Sequence, residues 1–128
     1  MRVNVTALGR LQKLAKLKSD IEMRRFAAFR VHVDATRARI ADHEQALRDL
    51  YAAPSAESIA EARLVNGLAN EAAQNLAWEE GQLRRILPGF EAARQAAARE
   101  FGRAEVVGLL RDRAIVDNLK TTRRKEGG

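Results

Sequence analysis

Along the first half of the chain, Phe26, Phe29, Val33, Thr36, Ile40, His43, Leu47 and Leu50 are separated alternately by three and four residues, and the residues between them are mostly charged. That alternation is the heptad spacing of a coiled-coil seam. With Phe26 at position a, Val33, Ile40 and Leu47 also fall at a, and Phe29, Thr36, His43 and Leu50 at d. A second seam follows as two interleaved series of period seven. One is Ala69, Leu76, Leu83, Phe90, Ala97 and Ala104; the other is Val65, Ala72, Glu79, Ile86, Ala93, Glu100 and Val107. Both predict long helices.

Between the seams, Tyr51 to Ser58 is the strongest break. Pro54 disfavours helix in the residue before it, and Ser55 can cap a new helix whose first turn contains Glu57. A turn over residues 52–56 joins one helix over about 6–51 to another over about 57–122. A connection this short makes the helices antiparallel. The expected fold is therefore all-α, a long antiparallel two-helix coiled-coil hairpin with a C-terminal helical overhang. At ~1.5 Å per residue such a hairpin is roughly 70 Å long, with roughly 20 Å of overhang.

A mirror point near residue 56 sets the expected layers. Leu50 meets Ala62, Leu47 meets Val65, His43 meets Ala69, Ile40 meets Ala72, Thr36 meets Leu76, Phe29 meets Leu83 and Phe26 meets Ile86. Large residues mostly oppose small ones, which fills space and lets the helices approach. One layer, Val33 with Glu79, is poor. Towards the N-terminus the leucines Leu8, Leu11, Leu14 and Leu17, followed by Ile21, run about one position out of phase with Phe26, which predicts a stutter. There Leu11 is expected opposite Phe101 and Leu8 opposite Ala104, leaving everything after about Val107 without a partner. That overhang carries Leu109, Leu110, Ile115, Val116 and Leu119, an apolar stripe that normally lies against something. Pro88, followed by Gly89, removes a helical hydrogen bond and predicts a kink or interruption at 88–89. Residues 123–128 read as a disordered basic tail.

Composition agrees with a helical rod. The chain of 128 residues holds 24 alanines and 18 arginines against two prolines, which favours helix throughout. Charge is segregated: residues 1–30 carry eight basic and two acidic groups, 31–83 four and nine, 84–128 eleven and six. The hairpin then has one basic region containing both termini and an acidic region near the turn. A solvated coiled-coil surface accounts for such charges without any partner. Docking onto partners of different charge accounts for their segregation as well.

Chemistry finds little support. The absence of cysteine excludes disulfides, zinc knuckles, iron–sulfur clusters and a thiol nucleophile. His32 and His43 lie on different faces of one helix, and His43 sits in the seam. Glu79, Glu80 and Glu100 have no pocket in which a carboxyl could become a general acid. No phosphate loop, nucleophile elbow or metal-ligand spacing is present, so the chain reads as a non-enzyme with no cofactor, no metal and no small-molecule substrate. Every apolar stretch is interrupted by charge well before the ~18 residues of a membrane span. Met1 to Asp20 lacks the apolar block of a secretory signal, so a cytoplasmic location is expected. The arginines would suit a phosphate backbone, but the aromatics Phe26, Phe29 and Phe90 are committed to the seam and Phe101 is expected opposite Leu11, which weighs against nucleic acid.

The opening leucine run Leu8-Gly-Arg-Leu-Gln-Lys-Leu-Ala-Lys-Leu, the turn Ser55-Ala56-Glu57 and the basic segment Ala98-Arg-Glu-Phe-Gly-Arg-Ala-Glu-Val-Val-Gly-Leu-Leu-Arg-Asp-Arg are similar to those of FliJ-type flagellar export proteins. These are soluble coiled-coil hairpins of the bacterial type III export apparatus, with YscO-type relatives in virulence systems. The resemblance covers nearly the whole chain. It implies a non-enzymatic stalk and escort component, cytoplasmic and peripherally associated with the membrane-embedded apparatus, that serves protein transport and flagellum biogenesis. The implied partners are the export ATPase hexamer, the cytoplasmic domain of the export gate and export chaperones. The end carrying the termini would enter the ATPase ring, with Lys13, Lys16, Lys18, Arg103, Leu109, Leu110, Arg111, Arg113, Ile115 and Leu119 as the residues implied. His43, Leu47 and Tyr51 would contact the gate. Pro88 and Gly89 depart from an uninterrupted second helix. Two other classes stay open: an RNA-binding helical hairpin arm, and a structural coiled coil that dimerises through its overhang.

Overall fold

The computed structural model describes residues 4–52, 54 and 57–127. Among them are two helices, α1 (Val5–Ala52) and α2 (Ile59–Gly127), and no strand. They pack against each other as an antiparallel hairpin, the all-α fold expected from the heptads. Each helix begins on a side-chain cap, which satisfies N–H groups that have no partner inside the helix. The Ala7 amide donates to Asn4 Oδ1 at 3.0 Å. At the start of α2 the Glu61 amide donates to Ser58 Oγ at 3.1 Å, and the Glu61 carboxylate in turn accepts from the Glu57 amide at 2.8 Å. Ser58 is thus the cap of α2. The expected cap Ser55 lies outside the described residues, as do Ala53 and Ala56 of the expected turn.

An interruption at Pro88, one of the two outcomes expected there, does not occur, and neither does the tail after residue 122. The helix is neither ended nor interrupted at Pro88, which lies within it. Pro88 is exposed, where water can reach the carbonyl that the missing N–H leaves unbonded. The segment expected as a tail is also helical, as far as Gly127. Arg124 and Lys125 in the last turn favour that end electrostatically, and the Thr121 and Thr122 hydroxyls donate back to the carbonyls of Asp117 and Asn118.

The packing divides into two units, one of Met1–Ala27 with Ala92–Gly128 and one of Ala28–Glu91. We refer to them as the terminal and middle units. In both, the partners across the hairpin differ from the expected ones by about one heptad.

In the middle unit Val33 and Thr36 are fully buried, and Phe29, Ile40, His43, Leu47 and Leu50 are half-buried, all at their expected seam positions. Their partners are what changed. Glu79, expected opposite Val33, instead accepts from Arg39 Nε at 2.9 Å. Arg39 Nη2 donates to Thr36 Oγ1 at 3.1 Å, and that hydroxyl donates to the His32 carbonyl at 2.9 Å. Phe29, expected opposite Leu83, lies on Gly89 so closely that a Cβ there would sit 2.8 Å from the ring. The shift has a physical reason. A pattern of period seven looks the same after a slide of one heptad, so the apolar layers discriminate weakly. Glu79 does discriminate: beside Val33 its buried carboxylate would have no counter-charge, whereas the observed register gives it Arg39.

The terminal unit shows the same slide. Arg111 reaches α1 at Gly9 and donates through Nη1 to Gln12 Oε1 at 3.2 Å, and Gly108 lies against the Gln12 amide. Hence Leu8 does not sit opposite Ala104 as expected. Ala114 is 4% exposed, so the covered part of α2 reaches at least this residue rather than ending at Val107.

The stutter is also absent. The covered positions of α1 here are Val5, Leu8, Gln12, Ala15, Ser19 and Glu22, which continue the Phe26 heptad backwards without a break. Ser19 is 4% exposed, while Leu14 and Leu17 are each 56% exposed and Leu11 and Ile21 are equally outward.

Candidate partner-binding surface

The terminal unit has a polar seam and an apolar exterior. Between its helices it encloses Ser19, Glu100, Gln12 and Arg111 together with the small residues Ala93, Ala97 and Ala114. Outside it presents Leu11, Leu14, Leu17 and Ile21 from α1, and Phe101, Val106, Leu109 and Leu110 from α2. It also carries 16 basic and 7 acidic residues, whereas the middle unit carries 7 and 10. An apolar surface rimmed by charge is the usual mark of a binding face.

Three recesses shape this surface. One of about 520 Å³ is lined by Arg10, Lys13, Lys16 and Arg111 near the start of α1. Its Arg111 crosses to α1, donating to Gln12, and its Nε is buried with no hydrogen-bond partner. A second, also about 520 Å³, mixes Lys16, Asp20, Glu105 and Asp112 with Met23 and Phe101. The third, about 630 Å³, is a groove with an almost wholly apolar lining: Leu11, Leu14 and Ala15 on α1, Val106, Val107 and Gly102 on α2. Lys18, Glu100 and Arg103 line it as well. Arg103 donates through Nη1 to Glu100 Oε1 at 2.7 Å.

The residues implied for ring binding are therefore distributed. Lys13, Lys16 and Arg111 share the basic recess, Lys18 and Arg103 the apolar groove, and Leu109 lines the mixed recess. Leu110, Arg113, Ile115 and Leu119 are exposed on α2 and line none of the three. Arg111 departs from the expectation of a free surface cation, because its position falls in the α2 seam. Of the residues implied for gate contact, His43 and Leu47 are half-buried in the middle unit and only Tyr51, 80% exposed, stands clear.

Leu11, Leu14, Gly102 and Val106 are surface residues that sequence reasoning missed. The run Leu8 to Ile21 looked like core because it is rich in leucine. Extending the Phe26 heptad backwards selects Glu22, Ser19, Ala15, Gln12 and Leu8 instead and leaves Leu11, Leu14 and Leu17 outside.

Among the described residues, no group of three or more histidine, cysteine or acidic side chains is placed to hold a metal ion, and no helix is long and apolar enough to cross a membrane. The chain matches no family model, no curated protein and no solved structure.

Proposed function

We propose that this chain is a non-enzymatic stalk and escort component of a bacterial type III export apparatus of the flagellar kind, working in the cytoplasm at the periphery of the membrane-embedded complex. The observation that supports the reading best is the terminal unit. Its net basic charge and outward leucines suit insertion into a protein ring whose inner wall supplies carboxylates and apolar contacts. Lys13, Lys16, Lys18, Arg103, Arg113, Leu109, Leu110, Ile115 and Leu119 are the residues assigned to the ATPase hexamer, with Arg111 holding α2 to α1 beneath them. Tyr51, flanked by His43 and Leu47, is assigned to the export gate. Export chaperones are the escorted partners.

The test is titration of the full chain into the export ATPase of the same organism, with ATP hydrolysis and ring assembly recorded together. Stimulation with assembly at sub-stoichiometric amounts is expected. Replacing Leu109, Leu110 and Leu119 together by serine should abolish it while leaving helix content unchanged. No effect at micromolar excess in moderate salt overturns the reading.

One observation favours a second reading, an RNA-binding arm: Arg10, Lys13, Lys16 and Arg111 converge on one recess. RNA affinity would fall log-linearly with salt, whereas docking through leucines would survive it.

A further inference from the structure

We infer that the apolar groove of the terminal unit is a receptor for one amphipathic helix of another protein, a helix that presents leucine-like side chains along one face and carboxylates beside them. This goes beyond the stalk reading and stands without it.

Three observations lead to that occupant. The first is inverted patterning. From Gln12 to Glu22 the α1 seam of the terminal unit is polar or small, facing Ala93, Ala97 and Glu100 among the buried residues of α2, while the large aliphatic residues Leu11, Leu14 and Val106 point outward to form the groove. A two-helix unit stabilised only by its own seam would place them the other way round.

The second is shape. The groove runs between two antiparallel helices, and Ala15 and Gly102 contribute little or no side chain to it. Nothing lies within 4 Å of the position a Cβ would take on Gly102. Small residues along such a groove let a third helix approach and pack its own side chains between the two.

The third is charge, and it chooses among occupants. The groove is lined by two cations, Lys18 and Arg103, against one carboxylate, Glu100, and the unit as a whole has nine more basic than acidic residues. A second copy seated on the groove through the same unit would bring two strongly positive surfaces together. An acidic helix meets complementary charge instead. Arg103 is exposed and has further N–H groups beside the one it gives to the buried Glu100, so it can meet an incoming carboxylate while keeping that pair.

The same geometry supplies a blocking variant. Gly102→Leu puts a side chain into the groove from its α2 wall, meets no atom within 4 Å at its Cβ, and improves helix propensity, so it fills the site without opposing the fold.

The experiment uses the full chain and three synthetic helical peptides with identical leucine spacing: one flanked by glutamates, one by lysines, and one with the glutamate composition in scrambled order. Binding is read by fluorescence anisotropy, stability by thermal unfolding, and self-association by sedimentation. The glutamate peptide should bind with micromolar affinity and the other two at least tenfold more weakly. Gly102→Leu should weaken the glutamate peptide at least tenfold with its melting temperature unchanged or raised. Lys18→Glu with Arg103→Glu should reverse the preference towards the lysine peptide.

Equal binding of all three peptides, or undiminished binding to Gly102→Leu, overturns the proposal. So does failure of the glutamate peptide to bind at any concentration it stays soluble. Concentration-dependent dimerisation that Gly102→Leu abolishes would show the occupant to be a second copy, and also overturns it. ATPase stimulation measured on the same variant separates this result from the stalk reading: stimulation that persists in Gly102→Leu leaves that reading standing whether or not the groove binds a helix.

Discussion

The middle unit and the terminal unit are built from the same two helices on the same heptad, yet their α1 seams are filled differently. In the middle unit the seam of α1 carries Phe29, Val33, Ile40, Leu47 and Leu50, and the one buried carboxylate, Glu79, is held by Arg39. In the terminal unit the same heptad positions carry Gln12, Ala15, Ser19 and Glu22 between Leu8 and Phe26, and Leu11, Leu14 and Leu17 are outside. The difference separates two jobs that a coiled coil can do. A seam of large side chains and one specific ion pair stabilises the hairpin and fixes its register. A seam of small and polar residues holds helices together more weakly and leaves aliphatic surface for something else.

Breaking the Arg39–Glu79 pair should have the largest effect. Arg39→Leu leaves Glu79 buried without its counter-charge and should cost about 2–3 kcal/mol in urea unfolding; half-exposure of the arginine keeps this below the full penalty for a buried pair. The double variant Arg39→Leu with Glu79→Leu should recover most of that loss. If the single variant were as stable as the parent, Glu79 could not be what selects the register.

Pro88→Ala, also in the middle unit, should stabilise by about 1–2 kcal/mol, part of the ~3 kcal/mol that an interior proline costs a helix. A drop in midpoint instead would mean that the local geometry at Pro88 is needed for Gly89 to approach Phe29. Removing the cap with Ser58→Ala should cost about 1 kcal/mol, and hydrogen exchange should show the change concentrated in the first turns of α2.

In the terminal unit the effects should be smaller. Gly102→Ala should raise stability by about 0.5–1 kcal/mol, because the helix gains propensity and the new methyl meets open space. Smallest of all, Leu14→Ser and Leu17→Ser should each change stability by no more than about 0.5 kcal/mol, since both side chains are already more than half exposed. A loss comparable to that of Arg39→Leu would remove the contrast between the units.

Much of the fold was legible because heptad spacing is a local property. The positions from Phe26 to Leu50 and from Val65 to Val107 that the spacing selects are the ones that turn inward, and Pro54 marks the break between the helices. Residue type misled where it disagreed with spacing. Leu8 to Ile21 suggested a stutter, because leucine usually reads as core, and the hydrophilic end of α2 suggested a tail, although lysine, arginine and glutamate are good helix formers. The candidate surface was legible in part: Lys13, Lys16, Lys18, Arg103 and Arg111 line its recesses, but Arg111 is also tied to Gln12 across the seam and the groove itself went unseen. It consists of residues at and beside the seam on both helices, and these become neighbours only when the helices are set side by side.

By itself, then, the sequence determined the helices, the seam and the segregation of charge, since each depends on residues at most a few turns apart. The tertiary structure alone decided the register, because a slide of one heptad preserves every local feature and is resolved by the meeting of Arg39 with Glu79 and of Phe29 with Gly89, partners 40 and 60 residues apart in the chain.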